Sequence, residues 1–152
     1  MRTHLIAVGR IKAGPERTLF DHFAARISPP MNVREVEVKR SMPSPKRKAN
    51  EAKMLLDSVP NGAVIVALDE RGKTLSSLEF SNKIRIWEDE GYRDIGFIIG
   101  GADGLDVAVR EKATLVLSFG QMTWPHMMVR GMLAEQIYRA NAILGGHPYH
   151  RE

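Results

Sequence analysis

The chain contains no cysteine. That removes disulfide frameworks and thiolate chemistry, whether nucleophilic or metal-binding. No run of eighteen apolar residues occurs, so no membrane-spanning helix is expected. The opening Met1 to Gly9 is too short in apolar length for a signal peptide and lacks a cleavage-site pattern; it reads as a first strand. The familiar phosphate loops are missing as well. Gly100-Gly101-Ala102-Asp103-Gly104 fits neither G-x-G-x-x-G nor G-x-x-x-x-G-K-[ST], and no G-x-S-x-G nucleophile elbow is present. These absences favour the cytoplasm. What remains is ordinary for a soluble domain: 152 residues, 43% hydrophobic, 26% charged, with a formal net charge of +4. One domain with one core is expected, and the mildly basic balance permits a nucleic-acid partner without requiring one.

Apolar residues alternate between strand-like and helix-like spacing. Strands are expected at Thr3 to Val8, around Val33, Val36 and Val38, at Ala63 to Asp69, at Phe97 to Ile99 and at Thr114 to Ser118. The second of these shows one wet face or an edge position, because Glu35 and Glu37 point opposite the valines. Helices are expected from Gly14-Pro15 to Ile27, after Lys48 to about Pro60, from a capping box at Ser76-Ser77-Leu78-Glu79 to Gly91, from Leu105 to Lys112, and from Pro125 to about Leu144. Trp87 falls in the apolar stripe of its helix and reads as core. The last helix carries a very wide apolar surface, part of which is free to meet a second subunit. The alternation of strand and helix predicts an α/β domain with a mostly parallel sheet flanked by helices.

In such sheets ligands bind at the carboxyl ends of the strands. Three strand exits stand out: after Leu68, after Ile99 into the glycine turn, and after Ser118 into Phe119-Gly120-Gln121-Met122-Thr123-Trp124. If those strands are neighbours, one cleft collects all three. Glycine at 100 would let a ligand approach the backbone, and a bulky side chain there would fill the ligand's space. The cleft would be rich in backbone groups and apolar side chains and poor in charge, which suits a flat heteroaromatic ring better than a triphosphate. Arg130, or Arg139 with Glu135 one turn away, could present a guanidinium at its mouth. Lys39 to Lys48 holds five basic side chains and reads as a surface loop, either a solvated charge run or a phosphate-binding flap. His126, His147 and His150 lack a closely spaced carboxylate, so no metal is expected. They fit RNA contact or proton handling better.

These residues carry a family resemblance. Ile98-Ile99-Gly100-Gly101-Ala102-Asp103-Gly104, Leu117-Ser118, Met122-Thr123-Trp124-Pro125-His126, Val129-Arg130, Glu135-Gln136-Ile137-Tyr138-Arg139-Ala140 and the tail His147-Pro148-Tyr149-His150-Arg151 together resemble the RlmH family. These are small SPOUT-class methyltransferases of ribosomal RNA, and the resemblance covers essentially the whole chain. It implies a single SPOUT domain over 1–152 with a C-terminal trefoil knot, which periodicity cannot reveal. It implies S-adenosyl-L-methionine as cofactor, held at Leu68, Gly100, Phe119, Gly120, Gln121, Met122, Thr123 and Trp124. It implies a homodimer whose active site is completed across the interface, acting on N3 of a pseudouridine in 23S ribosomal RNA of the assembled ribosome. Tyr149, His150 and Arg151 are the first candidates for gripping the nucleotide over the pocket, with His126 and Arg130 second. Two alternatives remain: a SPOUT enzyme with another RNA target, and a non-catalytic RNA-binding module using Lys39 to Lys48.

Overall fold

The computed structural model describes residues 1–39 and 41–151; Arg40, in the basic stretch, and Glu152, in the tail, lie outside the described residues. The elements run β1 (Arg2–Val8), α1 (Pro15–Ala24), β2 (Asn32–Val36), α2 (Ser44–Asp57), β3 (Val64–Thr74), α3 (Ser77–Asp89), β4 (Asp94–Ile99), α4 (Val107–Lys112), β5 (Leu115–Ser118) and α5 (His126–Leu144). The strands form one sheet in the order β2-β1-β4-β3-β5, and every neighbouring pair is parallel. All five carboxyl ends therefore lie along one edge. β3 sits between β4 and β5, so the three exits singled out above are adjacent.

Strand periodicity sorts the core into two layers. Leu5, Val66, Phe97 and Leu117 face one way and pack with Phe20, Phe80, Trp87, Leu133 and Ile137 from α1, α3 and α5. Ile6, Ala67 and Ile98 face the other way, against Ala52 and Leu55 of α2 and Val109 of α4. The central strands are buried on both faces, which is why they read as unbroken apolar runs. β2 is an edge strand: Val36 is buried but Val33 is 46% exposed.

Several boundaries differ from the sequence expectations. α1 stops at Ala24; Ile27 is buried from the turn that follows. α2 begins at Ser44, so Pro45 to Lys48 occupy its first turns rather than a loop. Proline is tolerated there because the missing N–H would have had no helical partner. The capping box forms as expected: the Glu79 amide donates to Ser76 Oγ (3.1 Å) and the Ser76 amide to Glu79 Oε1 (2.9 Å).

The largest difference is in β3. Its ladder to β5 does not end at Asp69. Leu68 and Lys73 both oppose Leu117, and Thr74 opposes Ser118, so residues 69–72 leave the sheet and the strand then rejoins it. Return is possible because residue 72 is glycine. A Cβ there would lie 2.6 Å from the Val116 carbonyl carbon and 2.9 Å from the Leu117 nitrogen, backbone atoms that cannot swing away. Gly72→Ala is expected to cost about 3 kcal/mol, read as a lower urea midpoint. An unchanged midpoint would show that the excursion repacks freely.

Candidate active site

The three exits enclose a hollow of about 720 Å³ at the carboxyl edge of β4, β3 and β5. That volume suits a small-molecule cofactor. Leu68, Ile99, Leu105, Leu117, Phe119, Trp124 and Val129 supply apolar wall, and the backbone of 100–104 and of 119–124 supplies donors and acceptors. Of the residues expected to hold the cofactor, Leu68, Gly100, Phe119, Gly120, Met122, Thr123 and Trp124 line the hollow. Gln121 is exposed and lies outside its lining.

The glycine turn is closed by its own backbone. The Gly104 amide donates to the Gly101 carbonyl (3.0 Å), and Gly104 alone in this turn takes positive φ, at 81°. A Cβ on Gly100 would meet the Gly104 carbonyl oxygen at 2.9 Å and Leu105 Cδ2 at 3.0 Å. This corrects the reason for glycine at 100: the space beside it belongs to the returning turn, not to a ligand. Gly100→Val is thus expected to spread the turn and weaken cofactor binding by tenfold or more, about 1.4 kcal/mol. Calorimetry showing unchanged affinity would contradict this.

Ion pairs fix the rim. Asp69, with a side chain only 5% exposed, accepts from the Arg71 amide (2.9 Å), Arg71 Nε (3.0 Å) and Arg71 Nη2 (3.0 Å), with Arg110 at 3.6 Å. Burial alone would raise its pKa, but the bonds and charges of Arg71 and Arg110 hold it below the usual carboxylate value. Asp103, in the glycine turn, accepts from Arg47 Nε (3.1 Å) and Nη2 (2.5 Å), which joins α2 to the turn. The Thr123 hydroxyl donates to Glu70 (2.9 Å), which ties the β3 excursion to the loop after β5.

The five residues expected near the reaction are divided. His126, the first residue of α5, lines the hollow. Arg130 does not: it is 1% exposed, and its guanidinium donates to Glu35 Oε2 (2.5 Å), the Val8 carbonyl (3.2 Å) and the Gly9 carbonyl (2.7 Å). It pins α5 to the end of β1 and is not presented at the mouth. The tail folds back on the far half of α5. Glu135 Oε1 accepts from Tyr149 Oη (3.0 Å), Arg139 Nε (3.0 Å) and Arg139 Nη2 (2.5 Å); Arg139 Nη1 lies 3.1 Å from His150 Nδ1 and its guanidinium covers the Tyr149 ring. Burial and the Glu135 acceptor raise the Tyr149 pKa, so this hydroxyl is a donor at neutral pH. Arg151 is exposed. At 1.5 Å per residue, Glu135 is about 13 Å along the helix from His126. Glu70, Arg71 and Asp103 were not foreseen as lining residues, although all three sit at the exits that sequence reading marked.

Among the described residues no group of three or more His, Asp or Glu side chains is placed to hold a metal ion, and no helix is long and apolar enough to cross a membrane.

The model of a family described as predicted SPOUT methyltransferase matches residues 1–150. The chain belongs to the SPOUT methyltransferase family. S-adenosylmethionine is the methyl donor of that family and hence of this enzyme. Proteins named ribosomal RNA large subunit methyltransferase H from Paramagnetospirillum magneticum and Rhodospirillum centenum are 55% and 54% identical to this SPOUT chain over 151 residues, 99% of each partner. A solved structure of a probable methylase family protein from Haemophilus influenzae superposes with a TM-score of 0.57 at 10% identity, over 99% of this chain and 70% of the other, and shares the fold.

Proposed function

We propose that this enzyme, a single SPOUT domain over residues 1–152, methylates N3 of a pseudouridine of the position-1915 type in 23S ribosomal RNA, on the assembled ribosome, as a cytoplasmic homodimer. The observation that carries the reading is the convergence of the β3, β4 and β5 exits on one hollow in a chain that matches large-subunit rRNA methyltransferases over its full length.

The lining fits S-adenosylmethionine. Leu68, Ile99, Leu105, Leu117 and Phe119 offer apolar wall for an adenosine, and two turns offer backbone polar groups. When bound, the cofactor supplies a methyl group on a positively charged sulfur that leaves neutral. The chain's own residues have three tasks: to align the base nitrogen with that methyl group, to exclude water and to receive the N3 proton. Alignment alone is worth roughly 7–11 kcal/mol.

In a single chain the tail lies against the far half of α5, away from its own hollow. In the homodimer proposed here it serves the partner's hollow, where Tyr149, His150 and Arg151 grip the nucleotide. The exposed Met122 and Trp124, which line the hollow, provide apolar surface for that contact. The trefoil knot belongs to the same reading, as a feature of the SPOUT fold to which the chain matches. The basic stretch leads into the hollow through Lys48, and Lys46 and Lys48 provide charge for RNA phosphates.

The test is incubation with labelled S-adenosylmethionine and either assembled ribosomes or free ribosomal RNA, followed by mapping of the methyl group. Label on N3 of one pseudouridine, in ribosomes and not in free RNA, is expected. Label on another base would move the enzyme to a different RNA target. RNA affinity that needs no cofactor, with no transfer, would make it a binding module.

A further inference from the structure

The reading above leaves open which group receives the N3 proton. Six side chains of the same chain with titratable or fixed charge line the hollow: Lys48, Asp69, Glu70, Arg71, Asp103 and His126; His150, which reaches it from the partner in the reading above, already accepts from Arg139 at Nδ1 (3.1 Å), the acceptor nitrogen of its neutral ring. Lysine and arginine are protonated and cannot accept. Asp69 is engaged by Arg71 and Arg110, and Asp103 by Arg47. Both are held below the usual carboxylate value, in Asp69 against the effect of burial and in Asp103 chiefly by the Arg47 bond, which makes them poor bases. Glu70 takes the Thr123 hydroxyl and lies exposed at the rim. Glu51, buried in α2 beside Gly101, is outside the lining.

His126 differs from all of these. Its imidazole lines the hollow, is partly buried, and makes no hydrogen bond among the described residues. It opens α5, so its charged form is opposed by the positive end of the helix. Arg130 stands one turn further on, at i+4 on the same side. Both terminal nitrogens of the Arg130 guanidinium are bound elsewhere, to Glu35 and to the Val8 and Gly9 carbonyls, and none of its bonds goes to His126, so it acts on the imidazole by charge. Burial and then Arg130 lower the His126 pKa from the ordinary 6.5, which leaves the ring neutral, with a free acceptor nitrogen, at pH 7.

We infer that the His126 imidazole is the general base that takes the N3 proton of the target base. This rests on the proposed N3 substrate. The N3–H bond breaks and its proton goes to a ring nitrogen of His126. The electron pair left on N3 forms the new N–C bond, and the pair of the broken methyl–sulfur bond stays on sulfur. The charge lost by the sulfonium reappears on the imidazolium.

The experiment compares wild-type enzyme with His126→Asn and His126→Gln on assembled ribosomes, with cofactor affinity measured by calorimetry and folding by thermal melting. Loss of kcat by about 10²–10⁴-fold at unchanged cofactor affinity and melting temperature is expected. In the wild type, log kcat should rise with pH at unit slope and level off above the lowered histidine value; in both variants that limb should vanish. A second reading needs no substrate: the His126 imidazole resonance, assigned by its loss in His126→Asn, should titrate below 6.5. Variants with wild-type kcat, a persisting acid limb, loss of cofactor binding, or a His126 ring still charged at pH 7 would each overturn the assignment. Wild-type enzyme that places no methyl on N3 would overturn the substrate reading, and the inference with it; active wild type with equally active variants would overturn the inference alone.

Discussion

Arg130→Met is expected to lower stability by about 3–5 kcal/mol. At roughly 2–4 °C per kcal/mol for a chain of this size, the melting temperature should fall by about 6–20 °C. The side chain, on α5, is 1% exposed and satisfies three acceptors at once: Glu35 on β2, the Val8 carbonyl on β1 and the Gly9 carbonyl just after it. Methionine fills much of the volume but donates nothing, so two carbonyls at the end of β1 and the Glu35 carboxylate lose their partner. Glu35→Gln keeps the bonds to Val8 and Gly9 but leaves the buried guanidinium without its countercharge, so it should cost a comparable amount. Acid dependence separates the two contributions. Burial alone would raise the Glu35 pKa, but Arg130, the Ile11 amide and Arg10 hold it below the ordinary 4.5. A carboxyl whose folded value is depressed stabilises the fold above its unfolded pKa, and that stability is lost as pH falls through the folded value. Wild type should therefore lose stability on acidification below about 4.5, and Arg130→Met should lose less over that interval because the favourable pairing is already gone. Urea titrations at pH 7 and pH 3.5 measure both. Equal losses for the two proteins would mean that the pair contributes little.

Deleting residues 147–152 is expected to leave the fold standing and to reduce methyl transfer by at least about 10³-fold. The tail touches α5 mainly through Tyr149 and His150, and the Glu135–Arg139 pair remains after its removal. The melting temperature should therefore change by a few degrees at most. Mixed dimers decide where the tail works. One subunit carries the deletion and the other carries Gly100→Val. If the tail reaches across, the tail-less subunit's hollow and the other subunit's tail combine into one intact site, and at cofactor concentrations too low to fill the Gly100→Val hollow the mixture is more active than either homodimer. If the tail serves its own chain, no intact site exists in the mixture and activity stays at background.

Sequence periodicity located the hollow well because its cause is local. A buried strand needs a continuous apolar run, and such a run must end in a polar or glycine-rich exit; Leu68, Ile99 and Ser118 each mark one. That the three exits converge depends on strand order, which periodicity does not contain. The fate of Arg130 was illegible for the same reason. Spacing placed it on α5 near His126, but its partners Val8, Gly9 and Glu35 lie about a hundred residues away in sequence. The return of β3 was missed because Asp69-Glu70-Arg71-Gly72 has the composition of any exit loop, and only the register against Leu117 shows that the ladder resumes. Gly100 was marked because a side chain would fill a ligand's space; the atom that side chain would strike, the Gly104 carbonyl, becomes known only with the turn closed.

The strand order has a bearing on biosynthesis. β3 borders only β4 and β5, so residues 64–74 have no strand beside them until residues 94–99 have been translated, and their outer side stays bare until 115–118 follow. A nascent chain halted near residue 90 would expose the apolar Val64 to Leu68 run with both edges open, a segment prone to self-association. Productive folding must wait for the C-terminal third, and truncated products should enter the insoluble fraction rather than persist as partly folded domains.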